Sequence, residues 1–378
     1  MPKKKPEFFK HIKESAISLF LVKLSLSLLK PIDQIIVLLK YLFEIRLFRI
    51  ILGGIFVILF FPVILFVFLR PVPQKNINYG VNFSNKYSAE IGQDWKVAYV
   101  KILDDLGAKN VRLVAYWDDI ERTKDEYNFS DIKWQLSEAE SRGINVIMTV
   151  GRKVPRYPEC FEPAWWKNTQ NEELKNDELY QYISDTIIEL RDFKSIKMWQ
   201  VENEPFFPFG VCTEIKSSVV RNEVTLVRAL DDRPILIQDS GEGGLWYPSY
   251  KLGDYLAISM YRKIWYDFWG AFLGNFIYFE YPLAHWTYKI KADLVQVPYE
   301  KIIVTELQAE PWGPGINSKL SQEDKDQTMS KQDFISTINY AQKAGFKDLY
   351  FWGAEWWLWE KENNNNPYFW DTAKALFK

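Results

Sequence analysis

The chain has 378 residues, 17% of them aromatic, with 47 Lys and Arg against 49 Asp and Glu and a formal net charge of −2. The charge divides unevenly: residues 1–70 carry 11 basic and 4 acidic groups, which leaves 36 basic against 45 acidic beyond them. An acidic main domain excludes a general nucleic-acid binder, and two histidines in all, His11 and His285, leave little for a metal-dependent hydrolase.

At the N-terminus, residues 12–49 are apolar but punctuated by Lys23, Lys30, Asp33, Lys40 and Glu44. Residues 1–49 are therefore expected to form basic amphipathic helices on the inner membrane surface, broken at Pro31. A solvated helical hairpin or a self-association segment fits the same pattern. Residues 50–69 carry no charge, and at ~1.5 Å per residue they reach across a bilayer core of ~30 Å. A transmembrane anchor is thus expected over 50–70. A cleaved signal fits less well, because the stretch is long, lies far from the N-terminus and ends in Leu69-Arg70-Pro71 instead of small residues. The basic residues before the anchor place the N-terminus in the cytoplasm and the large C-terminal domain outside, with 71–76 as a linker.

Residues 77–378 repeat a unit of helix, glycine and strand. It occurs at Leu106-Gly107 before Val111-Arg112-Leu113-Val114, at Arg142-Gly143 before Val146-Ile147-Met148, and at Ala344-Gly345 before Leu349-Tyr350-Phe351. A glycine after a helix supplies the left-handed cap from which the chain re-enters a sheet. Repetition of the unit predicts an α/β fold of parallel strands with crossover helices, a (β/α)8 TIM barrel. The predicted strands are 77–83, 110–116, 144–150, 196–203, 234–239, 255–261, 301–306 and 348–353. The helices are expected near 95–106, 130–142, 176–193, 215–231, 245–252, 284–296, 330–344 and 367–377. An open doubly wound sheet is the rival, but no Gly-rich phosphate loop follows the first strand.

Met198-Trp199-Gln200-Val201 reads as a short buried strand that Pro205 and Pro208 prevent from continuing, so Glu204 stands at a strand's C-terminal end. The β-branched run Ile302-Ile303-Val304-Thr305 delivers Glu306 in the same way. In a parallel barrel those ends share one face, where catalytic residues are found. Two carboxyls across a cleft suit glycoside cleavage, one to protonate the leaving oxygen and one to attack the anomeric carbon. The alternative for Asn203-Glu204-Pro205 is a plain strand-ending turn.

Asn203-Glu204-Pro205 and Thr305-Glu306, on the fourth and seventh strands, resemble the motifs of the retaining glycoside hydrolases of clan A over roughly residues 77–378. That resemblance implies Glu204 as acid/base, Glu306 as nucleophile and Asn203 at the sugar's 2-hydroxyl. It also implies that Arg112, on the second strand, holds Glu306 and that Tyr261, ending the sixth, hydrogen-bonds to it. Beside these roles stand plainer ones: a structural ion pair for Arg112 and a core-closing ring for Tyr261. Burial among Trp199, Phe206, Phe207 and Trp246 is expected to keep Glu204 protonated. Trp352 and Trp312 are the expected sugar platforms, with Glu202 and Glu310 as spare acids. Ser259 stands where family 5 members usually carry a histidine, and the third strand leads into Gly151-Arg152-Lys153 instead of a histidine.

The expected partner is a polysaccharide or oligosaccharide, with no cofactor and no metal called for. A transglycosidase on the same site and a non-catalytic glycan-binding barrel are the competing functions. Residues 262–300 form an aromatic insertion, read as a cleft wall, a membrane-interface contact or a packed subdomain. Cys160 and Cys212, on loops after neighbouring strands, are either a disulfide across the mouth or two free thiols.

Overall fold

The computed structural model describes residues 35–36, 40, 46–68, 76–213, 215–266 and 277–378. The chain divides into two compact units, 1–70 and 71–378.

In the first unit a helix runs over Arg46–Phe68. From Ile50 to Phe61 its described side chains are apolar on every side, and Ile50, Phe56, Ile58 and Leu59 are all exposed. The described side chains cover residues 49–61, only ~20 Å at the helical rise. Among the described residues no helix is long and apolar enough to cross a membrane. The expected 50–70 span extends beyond the described residues, and so do most of the helices expected within 1–49 and the linker 71–76.

The second unit is a closed barrel of eight parallel strands: β1 (Asn78–Asn82), β2 (Asn110–Val114), β3 (Asn145–Val150), β4 (Ile196–Val201), β5 (Ile235–Asp239), β6 (Tyr255–Met260), β9 (Ile302–Gln308) and β10 (Asp348–Trp352). Each neighbours the next around the ring, and β10 closes on β1. All eight boundaries fall within two residues of the predicted ones. Two shorter strands, β7 (Lys263–Tyr266) and β8 (Ile277–Glu280), form an antiparallel hairpin in the aromatic insertion. The tip of that insertion, 267–276, lies outside the described residues.

Alternation along the strands sorts side chains into two layers. Val111, Leu113, Val146, Met148, Trp199 and Val304 point outward and join the large core under the helices. Ile147, Leu236, Ala257, Ile303 and Tyr350 point inward and close the barrel floor. Gly80 makes room there, since a Cβ on it would stand 2.6 Å from the Tyr350 ring. Beyond this apolar floor the inward positions nearer the C-terminal mouth are polar, while Asn78, Asn110, Asn145 and Asp348 stand at the opposite ends of their strands.

Helix ends follow local chemistry. The helix Lys331–Ala344 begins with a Ser330–Asp333 capping box and ends at Gly345, whose φ of 81° suits a residue without Cβ. One ten-residue helix, Ala354–Asn363, is absent from the sequence reading. Glu355, Trp356, Trp357, Leu358 and Glu360 are all buried in it, so no polar stripe marks its period.

Candidate active site

Above the floor, the inward strand positions turn polar, and Arg112 is their hub. It is 1% exposed, and its fork is fully used. Nε donates to Gln200 Oε1 at 2.8 Å, Nη1 to Asn82 Oδ1 at 3.1 Å and to Glu306 Oε1 at 2.9 Å. Nη2 donates to Asn203 Oδ1 at 2.7 Å and to Gln238 Oε1 at 2.6 Å. Five donors in a rigid plane thereby fix the ends of β1, β4, β5 and β9 around one cation.

Strict alternation would send Thr305 and Glu306 to opposite faces. The register between β6 and β9 shifts at this point, pairing Ile258 with Val304 but Ser259 with Glu306. This bulge lets both residues enter the inner network: Thr305 Oγ1 donates to Gln238 Oε1 at 2.9 Å, and Glu306 accepts from three groups. Besides Arg112, Gln238 Nε2 donates to Glu306 Oε1 at 2.8 Å and Tyr261 OH to Oε2 at 3.2 Å.

Glu204 has a different setting. Its backbone is left-handed, with φ 45°, which a side chain adopts at some cost. Its side chain is 6% exposed and accepts one hydrogen bond, from Ser259 Oγ at 2.9 Å. Its pKa is raised well above the usual carboxylate range, first by burial, then by the charges of Glu306 and Glu159, with Lys153 and the Ser259 bond opposing. Of the rings expected around it, Trp199 faces the outer core instead, and Trp246 is buried with its Nε1 on the Ser240 carbonyl. Hence two glutamates at one barrel mouth occupy opposite environments, as paired acid and nucleophile roles require.

The structure also places the remaining candidates. Asn203 is fully buried, with Oδ1 on Arg112 and Nδ2 donating to Glu159 Oε1 at 3.1 Å. One amide hydrogen is left for a substrate hydroxyl. Trp312 packs edge-on against Tyr261, centroids 5.0 Å apart, at the rim of the site. Trp352 is 8% exposed and carries the Arg156 guanidinium 4.3 Å from its ring centre. Glu202 accepts the backbone N–H groups of Arg152 and Lys153 and so anchors the loop after β3. Glu310 is paired with Arg156. Cys160 and Cys212 are joined as a disulfide, with Cα atoms 5.3 Å apart, tying the loops after β3 and β4.

Several site residues escaped the sequence reading. Asn82, Gln200 and Gln238 each sit at an inward position near the mouth end of a strand, a signal that period-two alternation supplies once the barrel is known. Lys153 and Glu159 carry no such signal. Lys153 Nζ donates to the Glu204 and Phe207 carbonyls at 2.8 Å each and lies 3.4 Å from Glu159 Oε2. The Glu159 carboxyl is pushed up to about 8, mainly by burial, which outweighs the pull of Lys153; the Glu306 charge adds to the rise. A cavity of about 440 Å³ lies elsewhere, beside Asn85, Tyr116 and Tyr127, and neither catalytic candidate lines it. Among the described residues no cluster of His, Cys, Asp or Glu is arranged to hold a metal ion.

Solved structures share this barrel at low sequence identity. A GH5_18 protein from Streptomyces cattleya, solved with GlcNAc, aligns over 74% of this chain and 71% of its own at 13% identity and a TM-score of 0.51. The exo-beta-1,4-mannosidase Op5Man5 from Opitutaceae bacterium strain TAV5 aligns over 79% of this chain and 59% of its own, at 15% identity and 0.51. Xylanase 10B from Thermotoga petrophila RKU-1, solved with xylobiose, aligns over 75% and 86%, at 15% identity and 0.50. At these identities the likeness is one of fold. No protein-family model matches the chain, and no curated protein sequence matches it.

Proposed function

We propose that the chain is a retaining β-glycosidase of the clan A type, acting on a polysaccharide or oligosaccharide. The observation that carries this reading is the contrast between two buried carboxylates at one barrel mouth. Glu306 is held by Arg112, Gln238 and Tyr261, whereas Glu204 is buried with a single hydroxyl donor. Glu306 attacks the anomeric carbon while Glu204 gives its proton to the departing oxygen. Glu204, now ionised, takes a proton from water, whose oxygen displaces Glu306 and frees the sugar. A sugar hydroxyl in place of that water gives transglycosylation with the same residues. Asn203 contributes its remaining amide hydrogen at the 2-hydroxyl, and Trp312 and Trp352 are the sugar platforms. The structural neighbours, whose names include a mannosidase and a xylanase, favour this class over a binding-only barrel.

We further propose that the catalytic part, 77–378, lies outside the cytoplasmic membrane, tethered by residues 50–70 and acting on an extracytoplasmic or envelope glycan. The Cys160–Cys212 disulfide supports that location, because such bonds persist in oxidising compartments. The test is mass spectrometry of residues 71–378 after incubation with activated 2-fluoro β-glycosides. A covalent adduct on Glu306 is expected. An adduct on Glu202 or Glu310 would overturn the site assignment, and absence of any adduct across manno-, gluco-, xylo- and galacto-configured reagents would count against the enzymatic reading.

A further inference from the structure

The loop after β3 is secured at both ends. Glu202 holds its start through the N–H groups of Arg152 and Lys153, and the disulfide from Cys160 holds its end. Between them stands Arg156, left-handed at φ 88° and 7% exposed. Its guanidinium lies between two rings, 3.8 Å from the centre of Tyr87 and 4.3 Å from that of Trp352. It is also paired with Glu310 and, at 3.1 Å, with Glu355. One side chain therefore joins the segments that follow β1, β3, β9 and β10. The wall is braced further: Tyr116 OH meets Ser84 Oγ at 2.7 Å and donates to the Pro155 carbonyl at 3.2 Å, and Ser84 N donates to Glu355 Oε1 at 2.7 Å.

The side of the site that this wall closes is set by the chemistry. The leaving group must lie beside Glu204, which protonates it, on the side of β4 and β6. The rest of the glycone points the opposite way, toward β10, β1 and β2. There a second sugar would need the space that Arg156 fills between Trp352 and Tyr87. Within the wall, Glu310 is 6% exposed; Arg156 holds its Oε1, the Tyr87 hydroxyl also acts on the carboxyl, and Oε2 has no partner at ordinary hydrogen-bond distance. An orphaned buried acceptor is costly unless something donates to it.

We propose that the enzyme acts from the non-reducing end and releases one sugar at a time, with the Arg156–Glu310 pair as the cap that receives the terminal sugar's hydroxyls. Glu310 Oε2 is the acceptor for one of those hydroxyls, and the ion pair with Arg156 keeps it oriented. This inference rests on the glycosidase reading and deepens it.

The test uses the β-1,4-linked tetrasaccharide of whichever sugar labels Glu306, fluorescently tagged at its reducing end, and the same compound with its terminal 4-hydroxyl methylated. Stepwise shortening of the free tetrasaccharide, with the methylated one at least 100-fold slower, is expected. Internal cleavage of the methylated compound at a comparable rate would overturn the exo assignment while leaving the Glu306 adduct, and so the glycosidase reading, intact. In the isosteric variant E310Q, kcat/KM for the free tetrasaccharide should fall at least tenfold, chiefly through KM. An unchanged kcat/KM would remove Glu310 from the cap. R156A should narrow the rate gap between the two compounds, and a gap as wide as in the parent would show that Arg156 is not the barrier.

Discussion

Ser259 Oγ donates to Glu204 Oε1 at 2.9 Å, and the Gly241 N–H in turn donates to the Ser259 oxygen at 3.0 Å. A hydroxyl thus stands on the carboxyl that we propose as the proton donor, at the position where the resemblance to family 5 would lead one to expect a histidine. The bond favours the ionised form of Glu204, so it opposes the rise that burial imposes. In S259A that opposition disappears and the Glu204 pKa goes up further. The alkaline limb of the kcat/KM profile, set by loss of the Glu204 proton, is expected to move to higher pH. A limb that stays in place or moves down would mean that Ser259 does not act on Glu204.

Replacing Glu204 itself should separate activity from stability. With an ordinary leaving group, E204Q is expected to lose about 10²–10⁴-fold in rate, the usual worth of a general acid. With a dinitrophenyl leaving group, which departs without a proton, glycosyl-enzyme formation should lose far less. The stability effect has the opposite sign. The folded pKa of Glu204 lies well above the ordinary glutamate value of 4.5, so between those values the folded chain keeps a proton that the unfolded chain has released. Stability from this group is complete below about pH 4.5 and falls as pH rises toward the folded pKa. Gln cannot ionise, so E204Q should melt above the parent at pH 8, with the gap closing toward pH 5. A gap that instead widens in acid would contradict the raised pKa.

The barrel was legible because its signals are repetitive. Gly345 and Ser330 bracket a helix in sequence as they do in space, and β-branched runs fall where the sheet needs them. Glu204 was legible because it follows a strand and precedes Pro205, and Glu306 because it is the first acid after a β-branched run, although β9 continues through it to Gln308. Arg156, Glu159 and Lys153 were not, since they lie in a loop whose path is set by a disulfide, by Glu202 and by left-handed residues, none of which leaves a periodic trace. The orientation of Trp199 was misjudged for a simpler reason: position 199 alternates with Gln200, so only one of them can face the site, and the polar one does.

Arg112 offers a test of the polar network. Truncation to Ala would leave Glu306, Gln200, Gln238, Asn82 and Asn203 without their shared donor in a buried layer. Removing one partner of a buried ion pair typically costs about 3–5 kcal/mol, so R112A should unfold at markedly lower denaturant. R112K retains the charge but not the planar fork. It should recover part of the stability, while activity stays at least about 100-fold down because Glu306 is no longer fixed. Wild-type activity in R112K would mean that charge alone suffices.

The Cys160–Cys212 bond closes a loop of 52 residues. On the chain-entropy account a loop of that size is worth about 4 kcal/mol, with native geometry setting how much is realised. Reduction, or the double variant C160A/C212A, should therefore lower the denaturation midpoint. It should also reach the chemistry, because Glu159, next to Cys160, accepts from Asn203, and Arg156 is on the same loop. The expected signature is a rise in KM larger than the fall in kcat, since the loop shapes the sugar's seat and carries neither Glu204 nor Glu306. Titration of thiols before and after reductant gives the direct check. An unchanged thiol count would mean that the two cysteines are not bonded, and an unchanged KM after reduction would mean that the loop holds its place without the bond.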